Sequence, residues 1–337
     1  MMSGFLDDQS LTDLMTQFAV PGMGITLVTD MNIERPRGYG VKGPEGEAVT
    51  PETLFQACSI SKPVTAVAVV RLAQEGVLDL DEDVNGYLTS WKVPKTASSQ
   101  PRITLRQLLG HVAGTSVHGF PGYERDSPLP TTVDVLDGKP PANTPPVRVT
   151  EVPGAGFRYS GGGVTIVQQV LTDLLKQSFP NLMRELVLDP LGMTASTFEQ
   201  PLPASRWPEA ATGHHEDGTP VPGGWHVYPE MAAAGLWTTS SDLVRLVIEA
   251  QRAWAGLDTE ILSERTARTM LRPQSGGPVG IGFWVEEGRS LRFFHGGDNK
   301  GFKCLLTGDV DAGSGMVIMT NGQRGDELIE EVRRRIS

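Results

Sequence analysis

Ser59 and Lys62 stand three residues apart, where a short strand-like run, Leu54-Phe55-Gln56-Ala57, gives way to an apolar segment from Val64 to Leu72. At positions i and i+3 of a helix, a hydroxyl and an amine share one face. If that helix is buried, the amine loses solvation, its pKa falls, and it can take the proton of the serine. That is the chemistry of an activated nucleophile. A plainer alternative is that Ser59 caps the helix and Lys62 is a surface lysine. Cys58 is a rival nucleophile, but no lysine shares its face, and it reads as a small buried hydrophobe.

Two further clusters could stand beside Ser59. In Tyr159-Ser160-Gly161-Gly162-Gly163, placed in a loop before a helix, a phenol near positive charge loses its proton more readily. It could then be a general base in acylation and a general acid toward the leaving group. The alternative is a packed tyrosine followed by a flexible glycine loop. His295-Gly296-Gly297-Asp298 follows a strand that ends at Phe294. Its glycines let backbone approach a ligand closely. An edge strand there would offer the Asp298 N–H as one oxyanion donor, with the Ser59 N–H at a helix N-terminus as the other.

Other polar clusters read differently. His214 and His215 precede Glu216 and Asp217, but adjacent histidines point apart on a strand, and the context is that of a solvated turn. No metal and no cofactor is expected. His118, Trp225, His226 and Tyr228 lie in loops that could reach a cleft.

The elements that must position these groups follow from patterning. Residues 8–18 form a short amphipathic helix, and 24–28 a strand with a hairpin partner at 37–41. Residues 63–75 are apolar almost all round, which marks a buried helix, with Gly76 as its stop. Thr104 caps a helix at 105–109. Helical spacing recurs at 163–177, 181–188 and 241–255, the last capped by Ser240 or Ser241. Residues 119–156 are rich in proline with little periodicity, a functional or mobile stretch. Short strands at 281–285, 291–294, 302–306 and 316–319 precede a closing helix at 326–336. Strands at both ends and helices between them suggest one sheet assembled from both termini, with a helical region inserted.

Composition narrows the classes. The chain has 337 residues, 39% hydrophobic and 20% charged, and a formal net charge of −11. That charge argues against nucleic acid or an anionic membrane as partner. No apolar run approaches the roughly 18 to 20 residues that span a bilayer. Met1 to Asp8 carry no basic n-region, so the expected location is cytoplasmic. Cys58 and Cys304 are the only cysteines, which excludes a disulfide framework and zinc spacing.

Taken together, the three clusters resemble the class C-like branch of the serine β-lactamase and penicillin-recognising superfamily. That branch includes class C β-lactamases, DD-peptidases, D-aminopeptidases and family VIII carboxylesterases. The resemblance rests on order and spacing, from about Leu11 to the end. It is supported by Leu108-Leu109-Gly110-His111-Val112-Ala113-Gly114, which looks like the family's Leu-Leu-x-His-x-x-Gly segment, and by Leu188-Asp189-Pro190-Leu191-Gly192-Met193, which matches its Pro-Leu-Gly-Met turn.

The resemblance implies an α+β, β-lactamase-like fold, an antiparallel sheet from both termini flanked by helices. It would be one catalytic domain over 1–337, with an α/β lobe at about 1–58 and 275–337, a helical lobe at about 59–274, and the active site at their junction. It implies Ser59 as nucleophile, Lys62 and Tyr159 as proton-handling partners, and His295 as a further catalytic residue. Ser59, Asp298, Gly296, Gly297 and Gly161 would form the oxyanion and substrate-binding set. Three departures bear on substrate: Gly161 replaces the asparagine of Tyr-x-Asn, His295 the usual lysine, and Gly296 the usual threonine. Each offers less to an amide or a substrate carboxylate. The expected function is a serine hydrolase working through an acyl-enzyme on small acyl esters, its partner a small-molecule acyl substrate. The alternatives are a D-amino-acid peptidase or amidase, a weak β-lactamase, an acyltransferase, or a silent acyl-binding protein.

Overall fold

The two ends of the chain meet in one sheet. The computed structural model describes residues 7–97 and 99–336. Gly22–Thr29 pairs antiparallel with Ser314–Thr320, Ile25 opposite Ile318. The sheet continues through Phe302–Asp309 and Leu291–Asn299 to Trp284–Glu287, and on its other side carries Asn32–Ile33 and Arg37–Gly40 against Gly22–Thr29. All of these pairings are antiparallel. The α+β architecture expected from the sequence is the one observed.

Alternation along the strands sends side chains to two different cores. Ile25, Leu305, Met316 and Ile318 pack against Leu11 and Leu14 of the helix Asp8–Gln17 and against Leu328 and Val332 of the helix Gly325–Ile336. Val28, Leu306, Val317 and Met319 join the larger core with Leu243 and Val247 of the helix Ser240–Trp254. Gly325–Ile336 is helical because its apolar residues recur at turn spacing. Its first turn carries Asp326 and Glu327 and its last Arg333, Arg334 and Arg335, complementing the helix dipole. The helix Ser61–Gln74 runs through the larger core with Ser61 to Val70 all buried, and stops at Gly76, whose φ of +73° needs no Cβ.

Several expectations are corrected. Ser59 does not open the α-helix; it lies in a 3₁₀ turn, Cys58–Ile60, and the α-helix begins at Ser61. Within the 54–57 run, Phe55–Gln56 pairs with Trp237–Thr238 and not with the main sheet. Gly161, Gly162 and Gly163 are not a loop but the first turn of the helix Gly161–Leu175, which Ser160 caps by accepting the Gly163 N–H. Thr239, and neither Ser240 nor Ser241, caps Ser240–Trp254. His295 to Asp298 lie inside the strand Leu291–Asn299, not beyond its end.

The proline-rich stretch is structured. Tyr123–Glu124 pairs with His226–Val227, and Thr131 and Asp134 form a capping box for the helix Thr132–Asp137. Residues 1–6, part of the segment whose lack of a basic n-region suggested a cytoplasmic location, lie outside the described residues. No described helix is long and apolar enough to cross a membrane.

Candidate active site

Ser59 is held by a backbone frame. Ala57 N–H donates to Leu236 O at 2.8 Å, and the chain then turns at Cys58, whose φ is +52°. Ser61 Oγ donates to Cys58 O at 2.6 Å and accepts the Leu236 N–H at 3.0 Å, tying the turn to the segment beside it. A φ of this sign in a residue with a Cβ is uncommon and persists only where its surroundings enforce it.

Lys62, 2% exposed, extends from the first turn of the buried helix. Its Nζ donates to Ser59 Oγ at 2.8 Å and to Ala233 O at 2.8 Å. The second acceptor is itself anchored. Gln168, on the helix Gly161–Leu175, accepts the Ala232 N–H at 2.9 Å and donates to Pro229 O at 3.0 Å. Asn299 Nδ2 donates to Ala234 O at 3.1 Å and to Gln56 Oε1 at 2.8 Å. One network therefore fixes the lysine, the serine turn and the end of the strand Leu291–Asn299.

Tyr159 sits at the entry of the helix Gly161–Leu175, with the Lys62 ammonium 5.1 Å from its ring centroid. Four other rings surround it: His111 at 4.3 Å, His118 at 4.9 Å, His295 at 6.3 Å and Trp284 at 6.4 Å, centroid to centroid. His111 Nδ1 accepts the Ser160 N–H at 3.2 Å, which places its proton on Nε2. Burial, then the charge of Lys62, pushes the His111 imidazole well below its usual pKa, so it is neutral.

His295, also 2% exposed, has the opposite tautomer. Its Nδ1–H donates to Gly296 O at 2.6 Å. Burial, and then Lys62, push it down to about 3. The ladder with Trp284–Glu287 ends at the Trp284–Phe294 pair, so the strand has a free edge at residues 295–299. The Ser59 turn packs there at Gly297: a Cβ on that glycine would stand 2.4 Å from Cys304 Sγ, 2.7 Å from Cys58 Cβ and 2.8 Å from Ala57 O.

A cleft of about 1420 Å³ opens over these groups, lined by Ser59, Tyr159, Trp284, His295, Gly296, Gly297 and Asp298 and reaching Arg333 on the C-terminal helix. The structure thus brings Ser59, Lys62, Tyr159 and the 295–298 segment together. It does not bring Gly161. That residue is buried, its N–H donates to His118 O at 2.9 Å, and a Cβ on it would point at the Phe120 ring (3.0 Å) and His118 O (3.1 Å), so it is no part of an oxyanion or substrate-binding set. Gly296 has open space, with only Cys304 O at 3.8 Å from a Cβ. The Asp298 carboxylate pairs with Lys303 at 2.8 Å.

Among the loop residues, His118, His215 and Tyr228 line the cleft. Trp225 packs instead on Trp207 and Trp237, and His226 Nδ1 donates to Pro121 O. Among the described residues no group of three or more His, Cys, Asp or Glu is placed to hold a metal. Cys58 is sealed, and burial, with Cys304 beside it, pushes its thiol up, away from the thiolate form that reacts. Sequence reasoning missed the support that His111, Trp284 and the Ala233 carbonyl give to Tyr159 and Lys62. Of these only His111, inside the Leu-Leu-x-His-x-x-Gly segment, carried any signal.

The beta-lactamase family model matches residues 8–336. The chain belongs to the β-lactamase family. Among relatives, protein flp of Staphylococcus aureus (strain N315) is 26% identical over 246 residues, 70% of this chain and 45% of that protein. The chain therefore spans about half the length of that relative. Esterase EstB of Burkholderia gladioli is 27% identical over 266 residues, 69% of this chain and 66% of EstB. The fold of this β-lactamase-family protein is similar to that of D-alanine carboxypeptidase AmpC from Burkholderia cenocepacia. The TM-score is 0.74 and the identity 22%, covering 98% of this chain and 99% of the other.

Proposed function

We propose that this protein is a serine hydrolase that works through an acyl-enzyme and acts on small acyl esters. The observation that carries the reading is the hydrogen bond from Lys62 Nζ to Ser59 Oγ, 2.8 Å long, at the wall of an open cleft. Ser59 Oγ attacks the substrate carbonyl carbon, and its proton passes to the Lys62–Tyr159 pair. The N–H groups of Ser59 and Asp298 hold the oxyanion. The carbonyl–oxygen bond of the ester then breaks, the departing alcohol takes the proton from the pair, and the acyl group remains on Ser59. Water then attacks the acyl carbon and gives its proton to the pair; the bond from that carbon to Ser59 Oγ breaks, Oγ takes the proton back, and the acid leaves.

Neutral His111 and His295 suit this scheme. Neither adds a second positive charge beside Lys62 and Tyr159. An ester is favoured over an amide because its leaving group asks less of the general acid. The absence of an ammonium at position 295 and of a hydroxyl at 296 removes help for a substrate carboxylate. The esterase name of the Burkholderia gladioli relative points the same way.

A panel of p-nitrophenyl esters, D-amino-acid amides and a chromogenic cephalosporin tests the reading. Short-chain esters should exceed the cephalosporin in kcat/KM by about two orders of magnitude, the combined size of two lost polar contacts. Equal or faster turnover of the cephalosporin or of a D-amino-acid amide would replace the esterase by a lactamase or an amidase.

A further inference from the structure

The chemistry of His295 toward a ligand is set by its own hydrogen bond. Its Nδ1 lies 2.6 Å from Gly296 O, and a carbonyl oxygen only accepts, so the ring proton is on Nδ1. Nε2 is then a bare lone pair. Among the described residues nothing donates to it, although the side chain is 2% exposed and lines the cleft beside Ser59 and Tyr159. An acceptor at the wall of the cleft is open to a donor that a ligand supplies.

We infer that His295 Nε2 is a hydrogen-bond acceptor for a substrate hydroxyl or amide N–H, so that the site selects neutral acyl compounds bearing such a donor and discriminates against carboxylate anions. The inference rests on the acyl-ester reading above and specifies its substrate class. The lone pair repels a carboxylate, which has no proton to give, whereas an ammonium in its place would attract one. Burial and the nearby Lys62 keep the imidazole from charging at any pH near neutrality, so this preference is a fixed property of the site. The ladder with Trp284–Glu287 stops before His295, and Gly296 beside it presents no side chain to fill the cleft.

The test compares phenyl acetate with its 3-hydroxy, 3-methoxy and 3-carboxy derivatives. A second series carries the same three groups on the acyl side: phenyl esters of glycolic, methoxyacetic and malonic acids. In at least one series the hydroxyl compound should exceed the methoxyl compound about tenfold in kcat/KM, the worth of one neutral hydrogen bond. The carboxylate should be the slowest in both. His295→Leu should bring the hydroxyl-to-methoxyl ratio near one, and His295→Lys should raise the carboxylate relative to the methoxyl compound. These ratios cancel any general loss of activity. No turnover of phenyl acetate by the native protein would sink the esterase reading and take the inference with it. Turnover with ratios near one in both series, or a carboxylate as fast as the hydroxyl compound, would overturn the inference alone.

Discussion

Gly297 lies so close to Cys58 that a Cβ on the glycine would stand 2.7 Å from the Cys58 Cβ. This approach joins the strand that offers the Asp298 N–H to the turn that carries Ser59. Gly296, one residue earlier, has nothing nearer than 3.8 Å to an added Cβ. Neighbouring glycines of one motif therefore have different physical reasons to be there. Gly297 has no room for a side chain, while Gly296 leaves space in the cleft.

Gly297→Ala should destabilise the protein by about 1 to 3 kcal/mol, the usual cost of overpacking, and lower turnover by moving the edge strand from the Ser59 turn. Gly296→Ser should leave stability within about 0.5 kcal/mol. Urea unfolding of both variants checks this; equal losses would show that the contact at Gly297 is not what restricts the position.

Lys62→Ala and Tyr159→Phe should each lower kcat by about 10²- to 10⁴-fold, and the double variant should be little worse than either. Single-turnover kinetics with an aryl ester would read this, and multiplicative losses would show two independent roles.

Gly161→Asn should not introduce an amide-recognising side chain into the cleft. Its Cβ would press on the Phe120 ring and His118 O, so the first turn of its helix should loosen and melting should shift down. A stable variant with faster turnover of an amide or lactam would reverse that conclusion.

Glu230 gives a pH signature. Its carboxylate is buried, with neither oxygen hydrogen-bonded among the described residues, and burial raises its pKa from 4.5 to about 7. Between those values the unfolded chain is ionised and the native carboxyl is protonated. Its contribution to stability is therefore greatest below pH 4.5, falls as pH rises to about 7, and is level above. Relative to Glu230→Gln, the native protein should lose up to about 3 kcal/mol between pH 4.5 and pH 7.5. A stability difference that stays constant over that range would contradict it.

Much of this was legible in the sequence because the signals were local. Ser59 and Lys62 are a turn apart, Thr104 caps its helix, and the buried run after Lys62 has no polar face. The sheet built from both ends followed from where the β-branched runs fell. What stayed hidden depends on packing between distant segments. Gly161, Gly162 and Gly163 read as a loop because glycine favours turns. They are glycines within a helix because a Cβ at 162 or 163 would come within 2.8 Å of Ser116 O, Val147 or Thr115 Oγ1, on segments some forty-five and fifteen residues earlier. His111 gave no sign that its ring would back Tyr159 and its Nδ1 accept the Ser160 N–H, since those contacts span 48 and 49 residues. The Ala233 carbonyl has no side chain to betray it.

The central claim is that Ser59, held by Lys62, carries the acyl group. Intact mass after exposure to a fluorophosphonate probe, followed by peptide mapping, tests it most directly. One adduct per chain, mapped to Ser59, absent in Ser59→Ala and slowed in Lys62→Ala, is the predicted result. Undiminished labelling in Ser59→Ala, or an adduct on Cys58 or another serine, would contradict it.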